Sequence, residues 1–253
     1  SNKFSVNLLH GITGSGKTEV YLKCIEVCLY LNKRVIFLIP EISLIDQVVQ
    51  ELEKRFPDKI AFFHSSMKAT EHRNVWWQIN ANKFEVVVGP RSALFTPIDN
   101  VGLIIIDEEH EWNYKQEEPN PRYNARSVAM IKAENLNATV LLGSATPDLI
   151  TYHRAKVMGS INMFELPYRI SDKSINISTY SREDNLADVE VVDMKEELQN
   201  GNTSIFSTSL LDNINQTVNR NEQVILLVNR RGTSVSLRCQ DCSEIVVCSS
   251  CNA

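Results

Sequence analysis

The sequence predicts an α/β domain built on a wound, mostly parallel sheet, and three observations predict it. Short apolar runs rich in Val, Ile, Leu and Phe recur through residues 1–165, and helix-length segments alternate with them. The first run leads into the octapeptide Gly11-Ile12-Thr13-Gly14-Ser15-Gly16-Lys17-Thr18. Strands covered by helices on both faces read as near-continuous apolar runs, because neither side of the pleat meets water. An apolar strand, a glycine-rich turn and a helix in that order make the phosphate-binding pattern G-x-x-x-x-G-K-[ST].

Taken in order, residues 4–10 are apolar enough for the first strand, and the octapeptide matches the pattern at each constrained position. Its glycines let the backbone curl so that N–H groups face phosphate oxygens. Lys17 adds a point charge near the outer phosphates, and the Thr18 hydroxyl suits Mg²⁺. The sequence therefore implies binding of a nucleoside triphosphate. Residues 19–31 carry Val20, Cys24, Val27, Cys28 and Leu31 at helical spacing, with the two thiols read as small hydrophobes of the inner face. Residues 34–39, 60–63, 85–88, 103–106 and 139–142 are the further strands, with helices expected over 44–56 and 70–80.

Beyond residue 165 the composition changes. Residues 166–188 are rich in Ser, Asn, Asp, Lys and Arg and read as a linker or crossover. A second unit is expected over 189–232, with strands at 190–193 and 223–228 and a helix at 210–218. Residues 233–253 begin a cysteine-rich segment. Such a unit is too short for an α/β core of its own, so it is expected to be incomplete. The chain opens Ser1-Asn2 without an initiator Met and stops two residues after its last cysteine, so it is expected to be a piece of a longer protein.

Two further motifs point to the same chemistry. The run ending at Ile106 is followed by Asp107-Glu108-Glu109-His110. A parallel strand delivers its last residues to the carboxyl edge of the sheet, where ligands of open α/β folds bind. Asp107 is thus placed to hold Mg²⁺ beside Thr18, and Glu108 to orient or deprotonate an attacking water, with Lys17 completing the catalytic set. Gly143-Ser144-Ala145-Thr146-Pro147 follows the next strand onto the same edge. The Ser144 and Thr146 hydroxyls either link nucleotide state to movement or cap a helix.

Four of the six cysteines lie in the last 15 residues as Cys239-x-x-Cys242 and Cys248-x-x-Cys251. This pattern suits zinc in a reducing compartment better than disulfides, and one ion shared by all four is open from the spacing. At 253 residues and 43% apolar content there is no run near the ~18 residues of a membrane span. The net charge of −5 gives no bulk attraction to nucleic acid, so any DNA contact must be local.

In combination, the octapeptide, Asp107–His110 and Ser144-Ala145-Thr146 resemble motifs I, II and III of superfamily 2 helicases. Pro40-Glu41-Ile42-Ser43-Leu44, the segment from Gly89 to Phe95, Tyr114-Lys115-Gln116, Asn229-Arg230-Arg231-Gly232 and the closing cysteine pairs make the whole chain similar to the PriA family of primosomal replication-restart helicases. The resemblance implies a RecA-like ATP-binding lobe followed by the start of a second lobe and of a zinc insertion. The activity implied is that of a 3′ to 5′ DNA helicase driven by ATP and Mg²⁺. The implied partners are single-stranded and forked DNA, primosome proteins and single-strand-binding proteins, in a bacterial, cytoplasmic, nucleoid-associated setting without a membrane.

The resemblance also implies that Arg91 and Ser92 border the DNA track, an Arg that caps a loop being the alternative. It places Trp112, Tyr114 and Tyr123 in an aromatic loop that couples DNA to hydrolysis, with Lys115, Arg122 and Arg126 supplying charge. Aromatics packed under the loop are the alternative there. His110 would join the two sites, or be a hydrogen-bonded turn histidine. In the family each cysteine pair is completed by another C-x-x-C, so zinc is expected to be weak or missing here. Hydrolysis by this chain alone is expected to be poor. Two rival readings remain, a superfamily 2 motor that pumps duplex DNA without separating it, and a zinc-bearing docking module whose phosphate loop is vestigial.

Overall fold

The computed structural model describes residues 3–40, 42–63, 67–118, 120–170, 188–227, 237–238 and 245–246. The chain divides into two units, Ser1–Asp184 and Asn185–Ala253. In chain order the first contains β1 (Ser5–Gly11), α1 (Lys17–Tyr30), β2 (Arg34–Leu38), α2 (Ile42–Arg55), β3 (Ile60–Phe62), α3 (Ala69–Asn80) and β4 (Val86–Gly89). A 3-10 turn (Arg91–Phe95), β5 (Val101–Ile106) and a second 3-10 turn (Trp112–Tyr114) follow. The unit then runs through a hairpin of β6 (Lys115–Gln116) and β7 (Tyr123–Asn124), α4 (Ala125–Leu136), β8 (Thr139–Ser144), α5 (Leu149–Lys156) and β9 (Asn162–Leu166).

Seven strands form one parallel sheet in the order β3-β4-β2-β5-β8-β1-β9. Successive side chains alternate between its faces, which explains why the central strands are apolar throughout. Val35, Phe37, Val86, Val88, Leu103, Ile105 and Leu141 pack with Tyr21, Leu22, Ile25 and Cys28 of α1 and Leu52 of α2. On the other face Ile36, Leu38, Val87, Ile104, Ile106, Val140 and Leu142 meet Ile79 of α3 and the Ala125, Ala129 and Ala133 row of α4. Cys28 lies in that core, where burial pushes its thiol up to about 11, consistent with a role as a small hydrophobe.

Register brings the strand ends level. His10 pairs with Ser144, Leu38 with both Gly89 and Ile106, and Ile106 with Leu142. The segments that follow β1, β2, β4, β5 and β8 therefore leave from one edge of the sheet. The close fit there is visible at two glycines. A Cβ on Gly89 would fall 2.1 Å from the Phe63 carbonyl oxygen, and one on Gly143 would fall 1.6 Å from the Tyr21 hydroxyl oxygen. Neither neighbour can yield, since one is backbone and the other is a buried ring.

The expected strands and helices of residues 4–142 are present to within a few residues at each end, and β9, α4 and α5 add to them. The second unit differs from expectation. Residues 190–193 are not a strand, and the Asp193 side chain accepts from the Lys195 N–H to cap α6 (Met194–Gln199) instead. Residues 223–227 are not a strand either, and Ile225 and Leu227 are each 95% exposed. Both runs are apolar enough for a sheet, but neither finds a neighbouring strand to bond with among the described residues. The helix expected over 210–218 is α7 (Thr208–Asn219), which Ser207 caps by accepting from the Leu210 N–H. β10 (Leu237–Arg238) and β11 (Ile245–Val246) form a short antiparallel pair. Cys239, Cys242, Cys248, Cys251 and residues 229–232 lie outside the described residues. Among those described, no helix is long and apolar enough to cross a membrane.

Candidate functional site

The loop between β1 and α1 has the backbone its sequence demands. Gly14 and Gly16 sit at φ +77° and +88°, in the left-handed region that a Cβ disfavours. α1 begins directly at Lys17 with no side chain capping it, leaving the N–H groups of its first turn to point into the loop. Lys17 Nζ donates to the Gly11 carbonyl at 2.9 Å and lies 3.7 Å from Glu108 Oε1. Ser15 Oγ is buried and has no hydrogen-bond partner among the described residues. A buried hydroxyl in a positively polarised loop is suited to an anionic acceptor, and phosphate oxygens fit that requirement.

Asp107 continues from the end of β5, its N–H donating to the Leu38 carbonyl at 3.0 Å. Its Oδ1 accepts from the Tyr21 hydroxyl at 2.8 Å and from the Glu108 N–H at 3.0 Å. Burial raises the Asp107 carboxyl above its ordinary value, while the Tyr21 hydrogen bond pulls the other way. Tyr21 is itself raised, first by burial and then by the Asp107 charge. Glu108 adopts φ +44°, a conformation that disfavours a non-glycine residue by roughly 1–3 kcal/mol and is concentrated at functional sites. That backbone turns its carboxylate so that Oε1 faces Lys17 and Oε2 lies 3.6 Å from His110 Nδ1. His110 Nδ1 in turn is 2.7 Å from Ser144 Oγ, which also accepts from the Thr146 N–H at 3.0 Å. The structure thus brings Lys17, Glu108, His110 and Ser144 into one contiguous chain of polar contacts, with Ser144 buried and Thr146 exposed.

Other residues singled out in the sequence occupy different environments. Tyr114 is 1% exposed, and its hydroxyl donates to the carbonyls of Asp107 at 2.7 Å and Leu38 at 3.2 Å. It braces the strand ends and offers no ring face for stacking, which corrects the reading of it as a base-stacking aromatic. Arg91 donates to the carbonyls of Asn113 at 2.7 Å and Lys115 at 3.3 Å, so it caps the aromatic loop. Ser92 and Trp112 are exposed, the latter at 66%, and Lys115 pairs with Glu117 at 2.9 Å. Tyr123 packs edge-on against Phe95 with centroids 5.1 Å apart.

Arg126 is a further correction. Its Nη1 donates to Glu109 Oε2 at 2.7 Å, so its charge is neutralised inside the fold. Glu109 is fully buried and also accepts from the Asp148 N–H at 2.7 Å and the Thr151 hydroxyl at 3.1 Å. Glu109 therefore ties the turn after β5 to α4 and α5.

Tyr21 is the site residue that sequence reasoning missed. It lies on the inner stripe of α1 with Leu22, Ile25 and Cys28, and a buried phenol requires a hydrogen-bond partner. That requirement was legible, but not the identity of the acceptor.

A parallel sheet with this glycine-rich loop and these strand-end carboxylates defines a RecA-like P-loop domain. The chain belongs to the family described as "Type III restriction enzyme, res subunit" (ResIII), whose model matches residues 1–149. It is also similar along its whole length to replication restart protein PriA of Bacillus subtilis, at 43% identity over 252 residues that make up 30% of that protein. Against PriA of Synechocystis the identity is 40%, over 97% of this chain and 28% of the relative. The chain thus spans about a third of the length of these relatives. The solved structure of RecG bound to a three-way DNA junction is similar over 66% of this chain and 21% of that one, at 23% identity and a TM-score of 0.47.

Proposed function

We propose that this chain forms the ATP-hydrolysing part of a DNA helicase of replication restart. The observation that carries the proposal is the convergence of the phosphate loop, Asp107, Glu108, His110 and Ser144 on one sheet edge, in a chain similar to PriA throughout. The loop N–H groups, Ser15 Oγ and Lys17 hold the phosphates. Thr18 and Asp107 would hold Mg²⁺, which would neutralise charge on the outer phosphates. Tyr21 fixes one oxygen of Asp107, so the other would serve as a ligand to the ion. Glu108 positions the water. Loss of the terminal phosphate alters what Lys17 and Glu108 meet, and the His110 to Ser144 hydrogen bond passes that change toward α5.

Single-stranded or forked DNA is the proposed substrate, with exposed Trp112 the aromatic best placed to stack on a base. Primosome and single-strand-binding proteins are the proposed partners. For zinc, the support is the C-x-x-C spacing of Cys239, Cys242, Cys248 and Cys251 alone. Among the described residues no cluster of metal-ligating side chains occurs.

The experiment is steady-state ATP hydrolysis by the full-length protein with and without single-stranded DNA, beside Lys17→Ala. The expected result is stimulation by DNA, and a fall of about 10²-fold or more in the variant. Equal rates in all four conditions would overturn the proposal.

A further inference from the structure

The order β5-β8-β1-β9 gives the phosphate loop two different flanks. On one side lie β8 and β5, which carry Ser144, Asp107 and Glu108. A triphosphate on this loop would have its terminal phosphate toward those carboxylates, of which Asp107 would hold Mg²⁺. Its nucleoside end would then leave the loop on the opposite flank, toward β9.

What stands there is the stretch that continues from β9. The Ile12 N–H donates to the Leu166 carbonyl at 3.4 Å, and the Ile170 N–H donates to the Gly14 carbonyl at 2.9 Å. Between those two bonds Pro167, Tyr168 and Arg169 run alongside the loop. A Cβ on Gly14 would lie 4.0 Å from Arg169 Cγ, and a Cβ on Gly16 only 2.7 Å from Ile170 Cδ1. Gly16 is favoured by its left-handed backbone, and the tip of the Ile170 side chain rests against it. Despite that anchoring, Tyr168 is 41% and Ile170 69% exposed.

We propose that residues 168–170 form the nucleoside side of the site and bind the base and ribose of the nucleotide. The inference rests on the nucleotide reading above and deepens it. An aromatic ring, a planar guanidinium and a branched aliphatic side chain, held beside the phosphate loop by main-chain bonds, provide flat and apolar surface for a purine. They supply no main-chain recognition of phosphate, which the loop and α1 already provide. Contact with the base is thus separable from contact with the phosphates.

That separation is the test. Affinities for ATP and for inorganic tripolyphosphate, each with Mg²⁺, are measured on the full-length protein, on Tyr168→Ala, on Arg169→Ala and on Lys17→Ala. The Tyr168 and Arg169 variants are expected to bind ATP about tenfold or more weakly, the scale of a lost base stack, with tripolyphosphate affinity within about twofold of wild type. Retained tripolyphosphate binding also shows that the loop is folded. Equal weakening of both ligands would mean that the stretch only buttresses the loop, and unchanged ATP affinity would mean that the base lies elsewhere. Either result overturns the inference while leaving the nucleotide reading intact. Wild-type protein that bound neither ligand would overturn that reading, and the inference with it.

Discussion

Tyr21 and Asp107 stand 86 positions apart in the chain and share a 2.8 Å hydrogen bond under the floor of the site. The phenol packs over the Gly143 backbone so closely that no side chain fits there. Three segments, the loop helix, the strand that ends in carboxylates and the strand that ends in Ser144, are thereby locked around one hydroxyl. Tyr21→Phe keeps the ring and removes only the donor. The carboxylate then retains the Glu108 N–H but gains freedom about χ2. We expect a stability loss of about 1 kcal/mol and a higher Mg²⁺ concentration for half-maximal hydrolysis. Mg²⁺ titration of the variant beside wild type, with thermal unfolding of both, checks this. An unchanged Mg²⁺ requirement would show that Asp107 is positioned by its backbone alone.

At the scale of elements, the turn after β5 is held by charge as well as by hydrogen bonds. Glu109 is fully buried, and its carboxylate is matched by Arg126 from the start of α4 and by the N-terminal residues of α5. Removing Arg126 leaves a buried anion without its cation, so Arg126→Ala is expected to destabilise the fold by about 3–5 kcal/mol. Denaturant unfolding measures it. A variant that weakened DNA binding with unchanged stability would return Arg126 to the role its sequence context suggested.

The same elements show what could be read in advance. Strands such as Arg34–Leu38 and Val101–Ile106 are buried on both faces, so their apolar runs announced them. β9 is an edge strand whose Asn162, Phe164 and Glu165 are exposed, and its mixed composition resembled a loop. α4 buries a row of alanines, which contribute little to an apolar pattern although they let the helix lie close to the sheet. Residues 190–193 and 223–227 failed in the opposite sense. Their β-branched composition was right for strands, but pairing depends on neighbours that local composition does not encode.

Across the whole molecule, the candidate site was largely legible where chemistry constrains single positions. The glycine-rich loop, Asp107 and Glu108 were read from residue type, spacing and the rule that parallel strands present their carboxyl ends together, whereas Ser144 was open between coupling and a helix cap and His110 entered through the family resemblance. The residues that support them were not. Tyr114 and Arg91 were open between a nucleic-acid surface and packing or capping, Arg126 was read as a surface charge, and the fold uses the three as a brace, a cap and a buried counter-ion. Aromatic and basic residues serve both purposes equally well, and only burial separates the two. The chain spans about a third of the length of the PriA relatives it matches, and slow turnover is expected of this chain alone.

Glu108 is proposed to serve the chemical step, and the loop and Asp107 to hold the nucleotide. The most direct test is a paired measurement of ATP affinity and single-turnover hydrolysis on Glu108→Gln in the full-length protein. ATP affinity is expected within a few-fold of wild type, with hydrolysis slowed by about 10²–10⁴-fold. Hydrolysis at the wild-type rate, with the nucleotide still bound, would contradict it.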